Sequence, residues 1–313
     1  MKNLLPPDMG RTSMSQSLRE WLEETLRQLL LDAPENLMAD YGHQAIYDPP
    51  ILGVADGDDP LFTQFKTVVS SRHLMPREIM AAYAPPEADV TTCRVVAWAL
   101  PFTEAVRSSN RSGDRPSRMY SLARNNGGAL NHAIRERLAD IVRGRGYVAV
   151  APVLSKEYDA FRDEKRVFTS TWSERHVAAA AGLGRFGLHA ALITPVGSHV
   201  RLGSLVTNMP VEPTPRSYDD CRAPCMLTGG AICGQCIRKC PYGAISSAGF
   251  DKSRCYEMRN DIRDRYLDEY VEELDMLAAP IVKSGKRKNS YSLGCALCQC
   301  GVPCEKGMPD FNT

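Results

Sequence analysis

Ten of the eleven cysteines in this 313-residue chain lie after residue 220, and that crowding constrains the fold more than any other feature. They are Cys221, Cys225, Cys233, Cys236, Cys240, Cys255, Cys295, Cys298, Cys300 and Cys304, while Cys93 stands alone in an apolar run. In a reducing compartment such a grouping points to metal ligands before disulfides. A secreted disulfide scaffold is the competing reading, and it fits badly with the long cysteine-poor stretch that comes first.

The specific signal is Cys233-x2-Cys236-x3-Cys240-Pro241. Two-cluster ferredoxin runs end in this way, with the cysteine before proline ligating the other cluster. Closely spaced thiolates on a tight turn cap one face of a cubane, and the next cysteine points away along the emerging chain. Elsewhere the pattern departs from a ferredoxin. The position three before Cys233 is Gly230, so Cys225 must serve, and the second half spreads over Cys255, Cys295-x2-Cys298 and Cys304. The spacing therefore predicts two [4Fe–4S] clusters. Cys225, Cys233, Cys236 and Cys304 are assigned to one, and Cys240, Cys255, Cys295 and Cys298 to the other. Cys221 and Cys300 are left over, and either could replace an assigned ligand. Structural zinc also uses C-x2-C pairs, but the Cys-Pro junction and the interleaved order favour iron–sulfur.

Ahead of the cysteines the periodicity changes repeatedly. Leu18, Leu22, Leu26, Leu29 and Leu30 recur at helical spacing, so residues 15–31 read as an amphipathic helix. Residues 40–60 are rich in Asp, Pro and Gly and read as irregular. The run 93–100 reads as a buried strand, 103–121 as an arginine-rich loop opening onto a site, 130–143 as a helix, and 147–153 as a strand. Residues 173–181 form a further helix, and strand-like runs at 191–194 and 202–207 flank a Pro195-Val196-Gly197 turn. Helix–glycine–strand order predicts an α/β (α+β) layer with a mixed or parallel sheet. Three parts follow: a lead-in and helix over 1–40, an α/β domain over 41–210, and a double-cluster domain over 211–313. The last part contains a charged helix at 256–277 and a basic loop at 283–288.

A formal net charge of +1 gives no global attraction to nucleic acid or to an anionic membrane. No apolar run reaches the ~18 residues that a membrane span requires. Leu29-Leu30-Leu31 is too short for a signal-peptide core, so a cytoplasmic location without membrane contact is expected.

The stretches Cys225 to Ser246 (CMLTGGAICGQCIRKCPYGAIS) and Gly294 to Glu305 (GCALCQCGVPCE) resemble the double-cluster region of the epoxyqueuosine reductase family. Ser173 to Thr207 (SERHVAAAAGLGRFGLHAALITPVGSHVRLGSLVT) resembles the segment ahead of those clusters. The resemblance covers roughly residues 93–309, and reductive dehalogenases share its arrangement. It implies a cobalamin-binding α/β domain followed by a small ferredoxin-like module, with the clusters feeding electrons to cobalt from an external donor such as ferredoxin or flavodoxin. It places Ser173, Glu174, Arg175 and His176 where the family contacts its corrinoid. Gly182, Gly184 and Gly187 would let backbone approach the macrocycle, or would simply end a helix and turn the chain.

The resemblance also shows departures. The family's acidic proton donor aligns with Phe168, while Asp163 and Glu164 are out of register, and the family's RNA-binding helical extension has no counterpart. A small-molecule substrate is therefore expected, and tRNA is not expected as a partner. A reductive reaction also needs a proton source. Tyr120, between Arg118 and Arg124, is the first candidate because neighbouring cations ease phenolate formation; His176 is second and His132 third. Arg107, Arg111, Arg115, Arg118 and Arg124 are candidates for a cofactor phosphate or an anionic substrate. The leading expectation is a cobalamin-dependent iron–sulfur reductase. A cluster-only electron carrier and a reductase acting on tRNA are the alternatives.

Overall fold

Ser17 opens the first helix through a capping box: its hydroxyl accepts the Glu20 N–H while the Glu20 carboxylate accepts the Ser17 N–H. The computed structural model describes residues 17–163, 166–216, 218, 225, 233–277 and 294–309. The expected lead-in before Ser17, the basic loop at 283–288 and Cys221 lie outside these. The helix, α1 (Leu18–Leu31), buries Trp21, Leu22, Leu26 and Leu30. A hairpin of β1 (Leu37–Met38) and β2 (Gln44–Ala45) follows. Then comes β3 (Ile51–Asp56), in the stretch expected to be irregular. Leu52 to Ala55 are buried, and apart from Gly53 and Asp56 the Pro, Asp and Gly that suggested a loop lie on either side of the strand.

Helices α2 (Pro60–Val68) and α3 (Pro76–Tyr83) each begin with a proline at the first position, where the missing N–H costs no hydrogen bond. The expected strand appears as β4 (Arg94–Pro101). The expected arginine-rich loop is largely helical, giving α4 (Glu104–Ser109) and then α5 (Arg118–Gly144), which starts well before residue 130. Arginine is a good helix former, and Ser117 caps α5 through the Tyr120 N–H. Beyond α5 lie β5 (Ala149–Val150), the hairpin β6 (Ala160–Asp163) and β7 (Arg166–Ser170), and α6 (Glu174–Ala180). Next are β8 (Arg185–Phe186), β9 (Leu192–Ile193) and β10 (Val200–Thr207). The cysteine module supplies α7 (Gln235–Lys239), β11 (Ile245–Ser246), β12 (Gly249–Phe250) and α8 (Lys252–Leu277).

The main sheet has the order β3-β4-β10-β5, and every neighbouring pair is antiparallel. This corrects the expected mixed or parallel sheet. Alternating helix and strand signals fix element types but not direction. Here β5 pairs with β10, which arrives later and runs the opposite way. Strand β4 shows why both faces are covered. Val96, Trp98 and Leu100 point into the core shared with α1 and α5, whereas Val95, Ala97 and Ala99 point into the core shared with α2, α3 and α6. A third, smaller core of Leu122, Met258, Ile262, Cys295 and Leu297 joins α5 to the cysteine module. Among the described residues no helix is long and apolar enough to cross a membrane.

The start of α6 is tied down by a buried histidine. His73 Nδ1 lies 3.0 Å from the Leu74 carbonyl, and its Nε2 accepts the Ser173 N–H at 3.1 Å. Those two bonds need the neutral ring with the proton on Nδ1. Burial pushes the His73 pKa down to about 4. The unfolded chain, with histidine near 6.5, then takes up a proton first on acidification. Stability is full above pH ~6.5, falls by roughly 3 kcal/mol toward pH ~4 for this residue, and is flat below that. Urea titrations at pH 7 and pH 5 should show the loss, and His73→Asn should reduce the pH dependence.

Candidate metal centre and adjoining cavity

Gly234, at φ +69, starts α7 in the left-handed conformation, so Cys233 and Cys236 fall within one tight turn. Cys240 ends that helix, and its sulfur accepts the Ala244 N–H at 3.2 Å. Farther along, Ala296 at φ +53 turns the chain so that Cys295 lies just before a short 3-10 helix and Cys298 within it, while Asn110 from α4's end donates to the Cys295 carbonyl at 2.9 Å.

These turns bring the assigned thiols together in two sets. Cys225, Cys233, Cys236 and Cys304 line one small cavity of about 30 Å³, walled by Leu188, Ile193, Val302 and Pro303. Cys240, Cys255, Cys295 and Cys298 line part of a second cavity of about 700 Å³ between the sheet domain and the cysteine module. None of the described cysteines is disulfide-bonded. Among the described residues no three His, Cys, Asp or Glu side chains close on a point as they would for a single ion. Each set lines a cavity instead, which suits a cluster.

The thiols report the same grouping electrostatically. Burial first, and then repulsion from Cys225 and Cys233, raises Cys236 to about 11. Cys298 is pushed well up by burial, then by Cys295, Cys255 and Cys240, and least by Cys236 of the other set. Burial raises Cys304 to about 11 and Cys295 to about 12. Without a cation these four thiols stay protonated, so binding iron must displace their protons. Cys304 also has a neighbour that the sequence did not reveal: His189 Nε2 lies 3.2 Å from its sulfur. The Ala191 N–H donates to His189 Nδ1 at 3.1 Å, which leaves the proton on Nε2, aimed at sulfur. Hydrogen bonds to cluster thiolates help set the potential. Cys300 is fully buried, 3.3 Å from His199 Nδ1 and 3.6 Å from Asn110 Nδ2, and lines neither cavity. Cys93 is buried in the core beneath the sheet.

Tyr120, Ser173, Arg175 and His176 all line the large cavity. Ser173 Oγ lies 2.8 Å from His176 Nδ1, and the His176 ring packs against Phe65 and Phe186. The Arg175 guanidinium donates to the Ala190 carbonyl and faces the open space. Tyr120 needs a correction. It is buried, and burial pushes its phenol well above the ordinary value, outweighing the opposing pull of Arg124. Neighbouring cations do not make it a phenolate. It is a protonated phenol on the cavity wall.

Other expectations fail on geometry. Arg118 lines a separate surface hollow with residues 112–117. Gly182, Gly184 and Gly187 do not line the large cavity. A Cβ at Gly184, whose φ is +154, would meet the Ile193 carbonyl oxygen at 2.1 Å, and one at Gly182, φ +76, would meet Thr214 at 3.0 Å. Gly182 turns the chain just after α6, and Gly184 lets the Ile193 backbone pack closely. Arg107 and Arg111 are taken up by Glu104 and Glu305. His132 is not on the cavity wall. Several wall residues were missed or given another part: Glu174, whose Oε1 accepts from Arg135 at 2.9 Å while its buried Oε2 has no partner; Arg201; and Phe168, 44% exposed and stacked on Tyr256. A lone arginine inside the apolar strand of β10 was the signal for Arg201.

Over 148 residues the chain is 33% identical to an epoxyqueuosine reductase of Bacillus cereus, a match covering 47% of this chain and 33% of that protein. It is 27% identical over 255 residues to one from Listeria monocytogenes, covering 80% of this chain and 56% of the relative. By sequence the chain is similar to epoxyqueuosine reductases. It spans from a third to just over half the length of these curated relatives. No protein-family profile matches it.

Among solved structures, an epoxyqueuosine reductase from Bacillus subtilis with its catalytic loop swung out of the active site matches with TM-score 0.46 and 18% identity, over 94% of this chain and 66% of that one. An epoxyqueuosine reductase solved with an epoxyqueuosine-modified tRNA stem loop matches with TM-score 0.42 and 19% identity, over 76% and 55%. A reductive dehalogenase in complex with 3-bromo-4-hydroxybenzoic acid matches with TM-score 0.37 and 16% identity, over 72% and 30%. The expectation of a small-molecule substrate, with tRNA set aside, is corrected here. The relatives are named for epoxyqueuosine, and one such enzyme was solved with a tRNA stem loop bearing it.

Proposed function

We propose that this epoxyqueuosine reductase-like chain is an iron–sulfur oxidoreductase that reduces an epoxyqueuosine-type nucleoside carried on tRNA. The observation that carries the reading is the second thiol set, Cys240, Cys255, Cys295 and Cys298, which shares one cavity with Tyr120, Glu174 and His176. An electron source there adjoins the space where a substrate would sit. Cys225, Cys233, Cys236 and Cys304 would hold one [4Fe–4S] cluster and the second set the other, while Ser173 and Arg175 would meet the polar edge of a cobalamin. Clusters supply single electrons, and a corrinoid supplies a metal centre reactive toward electrophilic carbon.

Deoxygenating an epoxide takes up two electrons and two protons and releases water. At the position where the resemblance puts an acid stands Phe168, so a proton must come from elsewhere on the wall. Tyr120 carries one at neutral pH, because burial holds it as the phenol. Glu174 Oε2, buried and without a partner, accepts a hydrogen bond from a substrate hydroxyl. The apolar rim formed by Phe168 and Tyr256 limits water.

The test is anaerobic incubation of reconstituted protein and a chemical reductant with tRNA from a host lacking its own reductase, followed by mass analysis of nucleosides. Loss of one oxygen from epoxyqueuosine is expected, with Tyr120→Phe slower by ~10²-fold at unchanged iron content. Unaltered epoxide in the presence of full iron and added cobalamin contradicts the proposal.

A further inference from the structure

The wall of the large cavity is heavily cationic. Arg124, Arg175, Arg201, Lys252 and Arg259 line it, and Glu174, already paired with Arg135, is the one carboxylate among the described lining residues. Arg175 and Arg259 lie close enough to Cys255 to answer the negative charge of a thiolate cluster. Arg124 and Arg201 stand together on another part of the wall, where the Arg201 Nη2 donates to the Arg124 carbonyl at 2.7 Å. Repulsion between neighbouring guanidinium groups has a cost, and an anion that joins them relieves it. The cost is visible in Arg124, brought down to about 10 by burial, then by Arg201 and Arg259. Arg201 Nε is buried without a hydrogen-bond partner.

Helix α5 is shaped around this arrangement. Gly127 and Gly128 sit inside a 27-residue helix, where glycine is a poor choice. A Cβ at Gly127 would come within 2.1 Å of the Tyr47 hydroxyl, and one at Gly128 within 2.7 Å of Arg201 Nη2. The two glycines clear the helix surface for a phenol and a guanidinium.

We infer that Arg124 and Arg201 form an anion seat in the cavity wall and that its ligand is a phosphodiester. Guanidinium forks match the two non-ester oxygens of that group through paired charge-assisted hydrogen bonds. The inference rests on the proposed function for the cavity's occupants, because a polynucleotide backbone and the nucleotide loop of a cobalamin both carry a phosphodiester.

Binding to cluster-loaded protein separates the two sources. The probes are an unmodified tRNA anticodon stem loop, cobalamin, and cobinamide, which lacks the phosphodiester. Arg201→Gln should weaken the stem loop, or cobalamin but not cobinamide, by ~10-fold or more. Loss confined to the stem loop assigns the seat to nucleic acid, and loss for cobalamin alone assigns it to the corrinoid. Gly128→Ala, which displaces the guanidinium without removing charge, should reproduce the loss with iron content and circular dichroism unchanged. Arg201→Lys should recover part of the affinity. Wild-type affinities for all probes in both Arg201→Gln and Gly128→Ala, equal losses for cobalamin and cobinamide, or no binding of stem loop or cobalamin by the wild type would each overturn the seat. Because the stem loop carries no epoxide, a failed reductase assay leaves this result standing, and the reverse also holds.

Discussion

Replacing Cys298 with serine is expected to bring iron down from about eight to about four per chain and acid-labile sulfide with it. The sulfur sits on the large cavity with Cys240, Cys255 and Cys295, its thiol held protonated by burial and by those three neighbours. Only a strongly bound cation makes four such thiolates stable together. Serine offers a harder, less acidic oxygen that binds iron–sulfur clusters poorly. The control is Cys300→Ala. Cys300 is more deeply buried and only two residues away, but it touches His199 and Asn110 and lines neither cavity. Iron should be unchanged in that variant. Cys236→Ser should also halve the iron, by emptying the other set, and Cys298→Ser combined with Cys236→Ser should leave almost none.

Trp98→Ala is expected to destabilise the sheet domain by ~4 kcal/mol or more, close to the whole stability of many domains. Trp98 is fully buried at the centre of β4, paired with Leu52 on one side and Gly203 on the other. Its ring occupies the space that a side chain at 203 would need, since a Cβ there would lie 2.4 Å from the indole. Its Nε1 donates to Asn131 Oδ1 at 2.9 Å, and Asn131 donates onward to the Leu202 carbonyl at 2.9 Å. Alanine opens a cavity and leaves a buried acceptor without its donor. Trp98→Phe keeps most of the packing and should cost ~1–3 kcal/mol, the part due to the orphaned acceptor. Thermal unfolding of both variants separates packing from hydrogen bonding.

Much of this architecture is legible in the residues themselves. The 3.6-residue period of Leu18, Leu22 and Leu26 gave α1, and the unbroken apolar run after Cys93 gave a strand buried on both faces. The cysteine spacing divides eight thiols into two sets of four, because ligand geometry is local in C-x2-C and the Cys-Pro junction fixes where the next thiolate points. Strand direction was not legible, since the pairing of β5 with β10 depends on contacts across the whole domain. Strand β3 was hidden by breakers on either side of a short run and by Gly53 and Asp56 within it. The protonation of Tyr120 was misread because neighbouring arginines are visible in sequence whereas burial is not. Arg201 and Glu174 reach the cavity from β10 and α6, and only folding brings them opposite the thiols.

The most direct measurement is anomalous diffraction at the iron edge from anaerobically grown crystals. Two separate iron peaks are predicted, one within Cys225, Cys233, Cys236 and Cys304 and the other within Cys240, Cys255, Cys295 and Cys298. A zinc signal in either place, a single iron centre, or Cys300 standing in for one of the eight would contradict the account.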